Sequence, residues 1–231
     1  MSTPQTTGTY GFMPSFGELL LYCFGLCGIR NTALTQAHYE TGRMAANMLM
    51  SAWSARGVNL WQVVLEAIQL IKGVSTYPVP PNTIVILDAY YSISNGSQNI
   101  DRIMLPVSRS EYASYSNKHQ EGVPTTYWLD RLLQPTVSLY LTPNGQQSVF
   151  KYYRLRQTQD TALANGAIPE MPAYFADAFS LGLAYRLALS WAPSQVPILK
   201  PLADEAYNYA ASQNVETSNI YVTPVTGGYY R

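Results

Sequence analysis

The amino-acid sequence predicts an α+β fold: a helical bundle formed from both chain ends, with an inserted antiparallel β-rich module and an extended C-terminal tail. Apolar residues recur at helical spacing mainly in residues 15–57 and 166–214, which form the predicted bundle. Residues 58–165 are rich in β-branched and aromatic residues separated by turn signals, so they form the predicted β-rich module. Residues 215–231 follow neither period and form the predicted tail.

The N-terminal helices are predicted from a start signal and an apolar stripe. Ser15 and Glu18 form a capping-box pattern, in which each side chain can satisfy a free backbone amide of the other residue. The next helix is expected to begin at residue 31 or 32 and to carry Met44 and Met48 on its apolar stripe. Residues 1–14 contain many glycines, prolines and threonines, and we expect them to form a flexible arm.

The central module is predicted to consist of antiparallel strands. Two β-rich runs, residues 82–94 and 99–108, flank the sequence Asn-Gly-Ser-Gln-Asn, which is a strong hairpin signal. Residues 61–73 fit a helix or a strand, and their valine and isoleucine content favours a strand. Residues 108–120 predict a short helix and a loop between strands.

The most apolar segment, residues 168–194, predicts a core helix bounded by Pro172 and Pro193. Only eight uncharged residues separate Asp177 from Arg186, whereas a bilayer span needs about 18 to 20 apolar residues. We therefore expect no membrane insertion. A helix that is apolar on every face is either fully buried or shared between its own core and a neighbouring subunit.

The composition favours a protein that assembles with others. Charged residues make up 12% of the chain, about half of the usual share, and tyrosine occurs 19 times. Aromatic residues are enriched, and charged residues depleted, at protein interfaces. A neutral globular domain that is simply rich in tyrosine is the alternative. The net charge of zero argues against a dedicated nucleic-acid binder, whose affinity comes from a basic excess.

The sequence predicts no catalytic residue, no cofactor and no metal site. His38 is expected to cap or pack a helix, and His119 lies in a polar loop. Cys23 and Cys27 are one helical turn apart, so we expect two buried thiols on one face. The carboxylates are scattered, and each is explained by solvation or capping.

One basic cluster stands out, and it consists of Lys151, Arg154 and Arg156. On a strand, Arg154 and Arg156 share one face and Lys151 lies on the other. This cluster is either a DNA-facing surface or simply an exposed strand.

The order of several local patterns resembles the head-to-tail adaptor proteins of tailed bacteriophages, the tail tubular protein A-like family. The patterns are an Ala/Ser-Arg-Gly turn after the second helix, a Tyr-x-Val-Pro strand entry, a Ser-Arg-x-x-Tyr helix with a Gly-x-Pro turn, a pair of strands, and a Leu-Ala-x-Arg-Leu-Ala helix. The resemblance spans roughly residues 16–215, most of the chain. The patterns lie at residues 45–62, 73–91, 105–131, 135–144 and 168–194.

The resemblance implies a structural virion protein of the neck or tail, assembled in the cytoplasm of the host bacterium. Such adaptors form a ring, commonly dodecameric, beneath the portal protein, bind a downstream tail, nozzle or stopper protein, and let genomic DNA pass through the lumen. Lateral ring packing is then expected from Phe175, Phe179, Tyr185 and Trp191. A portal interface is expected at the C-terminal residues Ile220, Tyr221, Pro224, Tyr229, Tyr230 and Arg231.

Three other functions remain open from the sequence. The first is another phage neck, tail-completion or baseplate structural protein. The second is a sugar- or receptor-binding module whose tyrosine and tryptophan side chains stack on sugar rings. The third is a virion cell-wall hydrolase, since glycosidases need only two carboxylates.

Overall fold

A computed structural model describes residues 8, 11–57, 59–94, 99–145, 148–163 and 166–215. Within these residues the chain forms a curled seven-stranded mixed sheet, a separate pair of short strands and five α-helices. The helices are α1 (Phe16–Leu26), α2 (Gln36–Ser54), α3 (Arg109–Ser114), α4 (Ala176–Trp191) and α5 (Val196–Gln213). The strands are β1 (Val63–Gln69), β2 (Thr76–Pro78), β3 (Thr83–Ser94), β4 (Asn99–Pro106), β5 (Glu121–Gly122), β6 (Thr126–Asp130), β7 (Thr136–Tyr140), β8 (Thr142–Pro143) and β9 (Ser148–Arg156).

The large sheet has the strand order β1-β9-β3-β4-β6-β7-β2, so β1 and β2 are its edges. Neighbouring strands are antiparallel except β4 and β6, which are parallel at Leu105↔Thr126 and Pro106↔Tyr127. One face of the sheet buries a largely aromatic core. Its most buried large side chains are Tyr91, Met104, Leu139, Phe150 and Tyr152.

The predicted architecture is wrong, although the α+β class is confirmed. The body of the protein is a curled mixed sheet with five helices, rather than a helical bundle from both chain ends that carries an antiparallel module. The sequence signals that favoured antiparallel strands are turns, which act only between consecutive strands. The parallel β4–β6 pair depends on the route of α3 and the loop after it, and no local pattern specifies that route.

Several individual elements match their sequence signals. The Ser15–Glu18 capping box forms, with the Ser15 amide donating to Glu18 Oε2 at 2.8 Å. The segment at residues 61–73 contains β1, as its valine and isoleucine content favours, and β3 and β4 form the expected hairpin. Two helices begin later than predicted, because short 3₁₀ turns at Asn31–Ala33 and Ala173–Phe175 precede α2 and α4.

Helix α4 lies among three other helices and packs against α1, α2 and α5. Its small side chains let these helices approach closely. A Cβ atom at Gly182 would lie only 3.1 Å from Leu49 of α2. The buried residues of α4 are Ala178, Phe179, Ser180, Gly182, Leu183, Ala184, Leu187 and Ala188.

Both cysteines of α1 face α4 as buried free thiols, which confirms the expectation from their spacing. The Cys23 Sγ donates to the Ser180 carbonyl oxygen at 3.2 Å, and the Cys27 Sγ donates to that of Ala184 at 3.4 Å. Burial raises the pKa of Cys27 to about 11, and burial together with the neighbouring Cys27 raises the pKa of Cys23 further. The reactive thiolate form is therefore strongly disfavoured at both positions.

We predict that neither thiol reacts with a disulfide reagent such as DTNB in the native protein, and that both react after denaturation. Burial blocks access and the raised pKa removes the nucleophilic thiolate. A colorimetric thiol assay at neutral pH, with and without denaturant, checks this. Fast labelling of the native protein, lost in the Cys27→Ser variant, would show that α1 is not packed on α4 at this position.

Candidate assembly surfaces

The predicted basic cluster is divided between the interior and the surface. The side chain of Arg154 is buried, at 5% exposure. Its Nη2 and Nε donate to Glu66 Oε1 at 2.8 and 3.2 Å, and its Nη1 donates to Asn82 Oδ1 at 2.9 Å. Lys151 lies on the other face of β9, as predicted for a strand, with its Nζ 5.7 Å from the centre of the Tyr90 ring.

Arg156 joins the end of β9 to the segment that precedes α4. It forms an ion pair with Glu170, in which its Nη1 donates to Oε2 at 2.9 Å, and the Gln159 amide donates to the same oxygen at 2.7 Å. Burial alone would raise the pKa of Glu170, but these hydrogen bonds outweigh it and lower that pKa. The charges of Arg154 and Arg156 are therefore each paired with a glutamate of the same chain. Of the three basic residues, Lys151 is the one for which a DNA-facing role stays a prediction.

We predict that Glu170→Gln lowers the free energy of unfolding by about 1.5–3 kcal/mol near neutral pH, because charge-assisted hydrogen bonds are lost. The folded-state pKa of Glu170 lies below its ordinary value of 4.5, so its contribution is present above that pH and is lost as pH falls through the folded-state pKa. Urea unfolding followed by tryptophan fluorescence, at several pH values from about 3 to about 7, measures the difference.

The matched control is Glu121→Gln, which removes the exposed ion pair with Lys72 at 3.6 Å. Exposed pairs contribute roughly 0–1 kcal/mol, so this variant should stay close to the wild-type protein. A Glu170→Gln effect that does not change with pH would contradict an ionised Glu170 in the fold.

The residues expected to pack between subunits differ in their surroundings. Phe175 and Phe179 are buried in the chain's own core, with ring centres 5.4 and 6.3 Å from that of Trp53. Tyr185 is half-buried, and Trp191 is 38% exposed. Phe175 and Phe179 therefore serve the fold of the subunit, and lateral packing stays a prediction for Tyr185 and Trp191.

His38 caps the start of α2 and packs against α4, in line with the role that the sequence indicated. Its Nδ1 accepts a hydrogen bond from the Thr35 amide at 3.1 Å at the start of α2. Its ring stacks on Trp191, with 4.0 Å between the ring centres. His38 therefore ties the start of α2 to the end of α4. His119 is exposed, as expected for its polar loop.

The outer side of α2 carries a surface that the sequence analysis missed, which we name the basic groove. It is an open groove of about 640 Å³, lined by Arg43, Met44, Met48 and Arg186 among other residues. Met44 and Met48 were expected on an apolar stripe facing the core, but they are 59% and 55% exposed. The inward-facing residues of α2 are Gly42, Ala46, Leu49, Met50 and Trp53 instead.

The charges of the basic groove are not balanced within the described part of the chain. Arg43, Arg56 and Arg186 take part in none of the ion pairs that join described residues. The guanidinium of Arg56 lies 4.8 Å from the centre of the Tyr207 ring, next to the groove. Burial, and then the charge of Arg56, lower the pKa of Arg186. This surface is therefore suited to an anionic partner.

Helix α5 presents a surface of the opposite charge, which we name the acidic face. Leu199, Ala203 and Ala206 are buried against the other helices, and the far side of α5 is open to solvent. No carboxylate there forms an ion pair with another described residue. The acidic face consists of Ile198, Leu202, Glu205 and Tyr209, all exposed. Asp204 lies about 100° around the helix from Glu205, on the side of the exposed Lys200 one turn before it.

Basic residues that are close in sequence do not form the main positively charged surface of this protein. Lys151, Arg154 and Arg156 are close in sequence, yet two of them are neutralised internally. Arg43 and Arg186 lie on different helices and meet only through the packing of α2 on α4. The one local signal for the basic groove is the Met44–Met48 pair beside Arg43, which was assigned to the core.

The described residues lack two features, a metal-binding cluster and a membrane-spanning helix. They contain no cluster of three or more histidine, cysteine, aspartate or glutamate side chains arranged to hold a metal ion. None of their helices combines the length and the apolar character that a bilayer span requires. The predicted portal-interface residues Ile220, Tyr221, Pro224, Tyr229, Tyr230 and Arg231 lie outside the described part of the chain.

Comparison with known proteins identifies no family. No protein-family model matches the sequence, and no curated protein is significantly similar to it.

Proposed function

We propose that this chain is a structural virion protein of a tailed bacteriophage. In this proposal it is a head-to-tail adaptor that forms a ring under the portal, joins the head to the tail or nozzle, and lets DNA pass through its lumen. The class of protein comes from the ordered resemblance described for residues 16–215. The observation that carries the proposal in the structure is the presence of two exposed helical surfaces of opposite charge, the basic groove and the acidic face.

Two different surfaces on one chain favour ring formation over a two-fold dimer. A two-fold interface uses the same patch on both partners, whereas contact between two different patches is head-to-tail and repeats, giving a ring when its rotation closes and a filament when it does not. Exposed methionine, leucine and tyrosine side chains accompany the charges on both surfaces. Such a combination is typical of protein interfaces.

The structure favours the adaptor over the sugar-binding alternative. That alternative requires a cluster of exposed aromatic side chains in the β-rich region. Among the described strand residues, Tyr153 is the only exposed aromatic, and the other exposed large hydrophobic side chains are aliphatic. Tyr91, Tyr127, Phe150 and Tyr152 are all buried in the core of the sheet.

We predict that the full chain forms a ring that stacks coaxially on portal rings from the same phage. Electron microscopy of the protein alone, of purified portal rings alone and of the mixture checks this prediction. Unaltered portal rings in a mixture with excess folded protein would refute the adaptor function. Rings of this protein without any portal stacking would instead favour another neck or tail component.

We also predict that deletion of residues 215–231 abolishes portal attachment and leaves the fold intact. Val215 is exposed, so its removal takes no side chain from the core. The remaining deleted residues contain the aromatic positions assigned to the portal by resemblance. Thermal unfolding should shift by no more than a few degrees, and co-sedimentation with portal rings should disappear. A markedly lower unfolding temperature would mean that the tail belongs to the core.

A further inference from the structure

We propose that the acidic face of one copy of this chain binds in the basic groove of the next copy. This inference deepens the proposed function, on which it rests for the ring, by assigning the lateral contact to two surfaces. In the resulting interface Glu205 lies opposite Arg43 and Arg186. The partner is thus a second copy, in a head-to-tail arrangement.

The charges on the two surfaces are complementary, and no ion pair within the described residues satisfies them. The basic groove offers Arg43 and the partly buried Arg186, and the neighbouring Arg56 adds to its positive potential. The acidic face offers the exposed carboxylate of Glu205. Opposite potentials steer partners together and set the register of an interface.

The apolar side chains on the two surfaces are complementary too. Met44 and Met48 lie on one turn of α2 and are both more than half exposed. On α5, Leu202 and Tyr209 lie one turn before and one turn after Glu205, and Tyr209 is 68% exposed. Methionine adapts its shape to a partner, and tyrosine supplies a large contact area at low entropic cost. Burial of these four side chains would provide the apolar centre of the contact.

The acidic face points away from the core of its own chain. Leu199, Ala203, Ala206 and Ala210 hold α5 against that core. Tyr207, on the side of α5 nearer α2, packs against the ring of Trp53 and lies under the guanidinium of Arg56. This orientation favours a partner on another molecule.

The size of the contact explains why a closed ring is favoured. Helix α5 has 18 residues, so its face is about 27 Å long. One helix face covers less than the roughly 800 Å² per partner of a standard interface. A single contact is weak, whereas in a closed ring every copy makes two of them.

Disulfide trapping tests the contact in the full chain. Met48→Cys and Leu202→Cys place one exposed thiol on each surface, and the native thiols at Cys23 and Cys27 are buried. We expect mild oxidation to give a covalent dimer when the two variants are mixed, and no dimer from either variant alone. The double variant should give a ladder of oligomers on a non-reducing gel.

Charge reversal supplies the second part of the test. Arg43→Glu in the Met48→Cys chain, or Glu205→Arg in the Leu202→Cys chain, should lower the dimer yield about tenfold, because like charges then face each other. Mixing the two reversed chains should restore the yield. The control Arg102→Glu, at an exposed position of β4, should change nothing.

The outcomes separate this inference from the proposed function. No covalent dimer in the mixture, with or without portal rings, would overturn the contact even if the wild-type ring stacks on the portal. A dimer from Met48→Cys alone would overturn it as well, because it indicates a two-fold contact. Covalent dimers with the charge pattern described, but without portal stacking, would support the contact and refute the adaptor.

Discussion

The rest of the helical structure depends on one constraint, the burial of α4. This helix is apolar on nearly every side, so water must be excluded around it, and α1, α2 and α5 provide that cover. Each of these three helices packs one face against α4 and exposes the opposite face to solvent. The basic groove and the acidic face are such outer faces, so the surfaces available for assembly follow from the packing of the core.

Polar contacts connect α2 and the approach of α4 to the end of β9 and the segment after it. Asn47 of α2 both donates to the Thr161 carbonyl and accepts from its amide, at 3.3 and 2.7 Å, just after β9. Arg156 and Glu170 connect the end of the same strand to the approach of α4. Hydrogen bonds and ion pairs are directional, so they fix the angle between the two cores more strictly than apolar contact does.

Signals between residues close in sequence predicted individual helices and strands. Contacts between residues distant in sequence determined the strand pairing, the internal ion pairs and the inward face of α2. The Ser15–Glu18 cap, the β3–β4 hairpin and the buried cysteines each depend on residues close in sequence, and all three were predictable. The β4–β6 pairing and the internal neutralisation of Arg154 depend on residues distant in sequence, and they were not. The outward position of Met44 and Met48 belongs to the second group, because helical spacing gives the faces of α2 without saying which one turns inward.

The pairing of Glu66 with Arg154 has a consequence for the behaviour of free chains. Glu66 is the only charged residue of β1, an edge strand of the sheet, and Arg154 of the neighbouring strand holds its carboxylate. Edge strands are commonly protected from growth of the sheet into a second molecule by lysine, proline or free charges, and β1 contains neither lysine nor proline. Within the described residues this edge lacks those protections, so pairing of β1 with a strand of a second molecule is expected to increase with the concentration of chains.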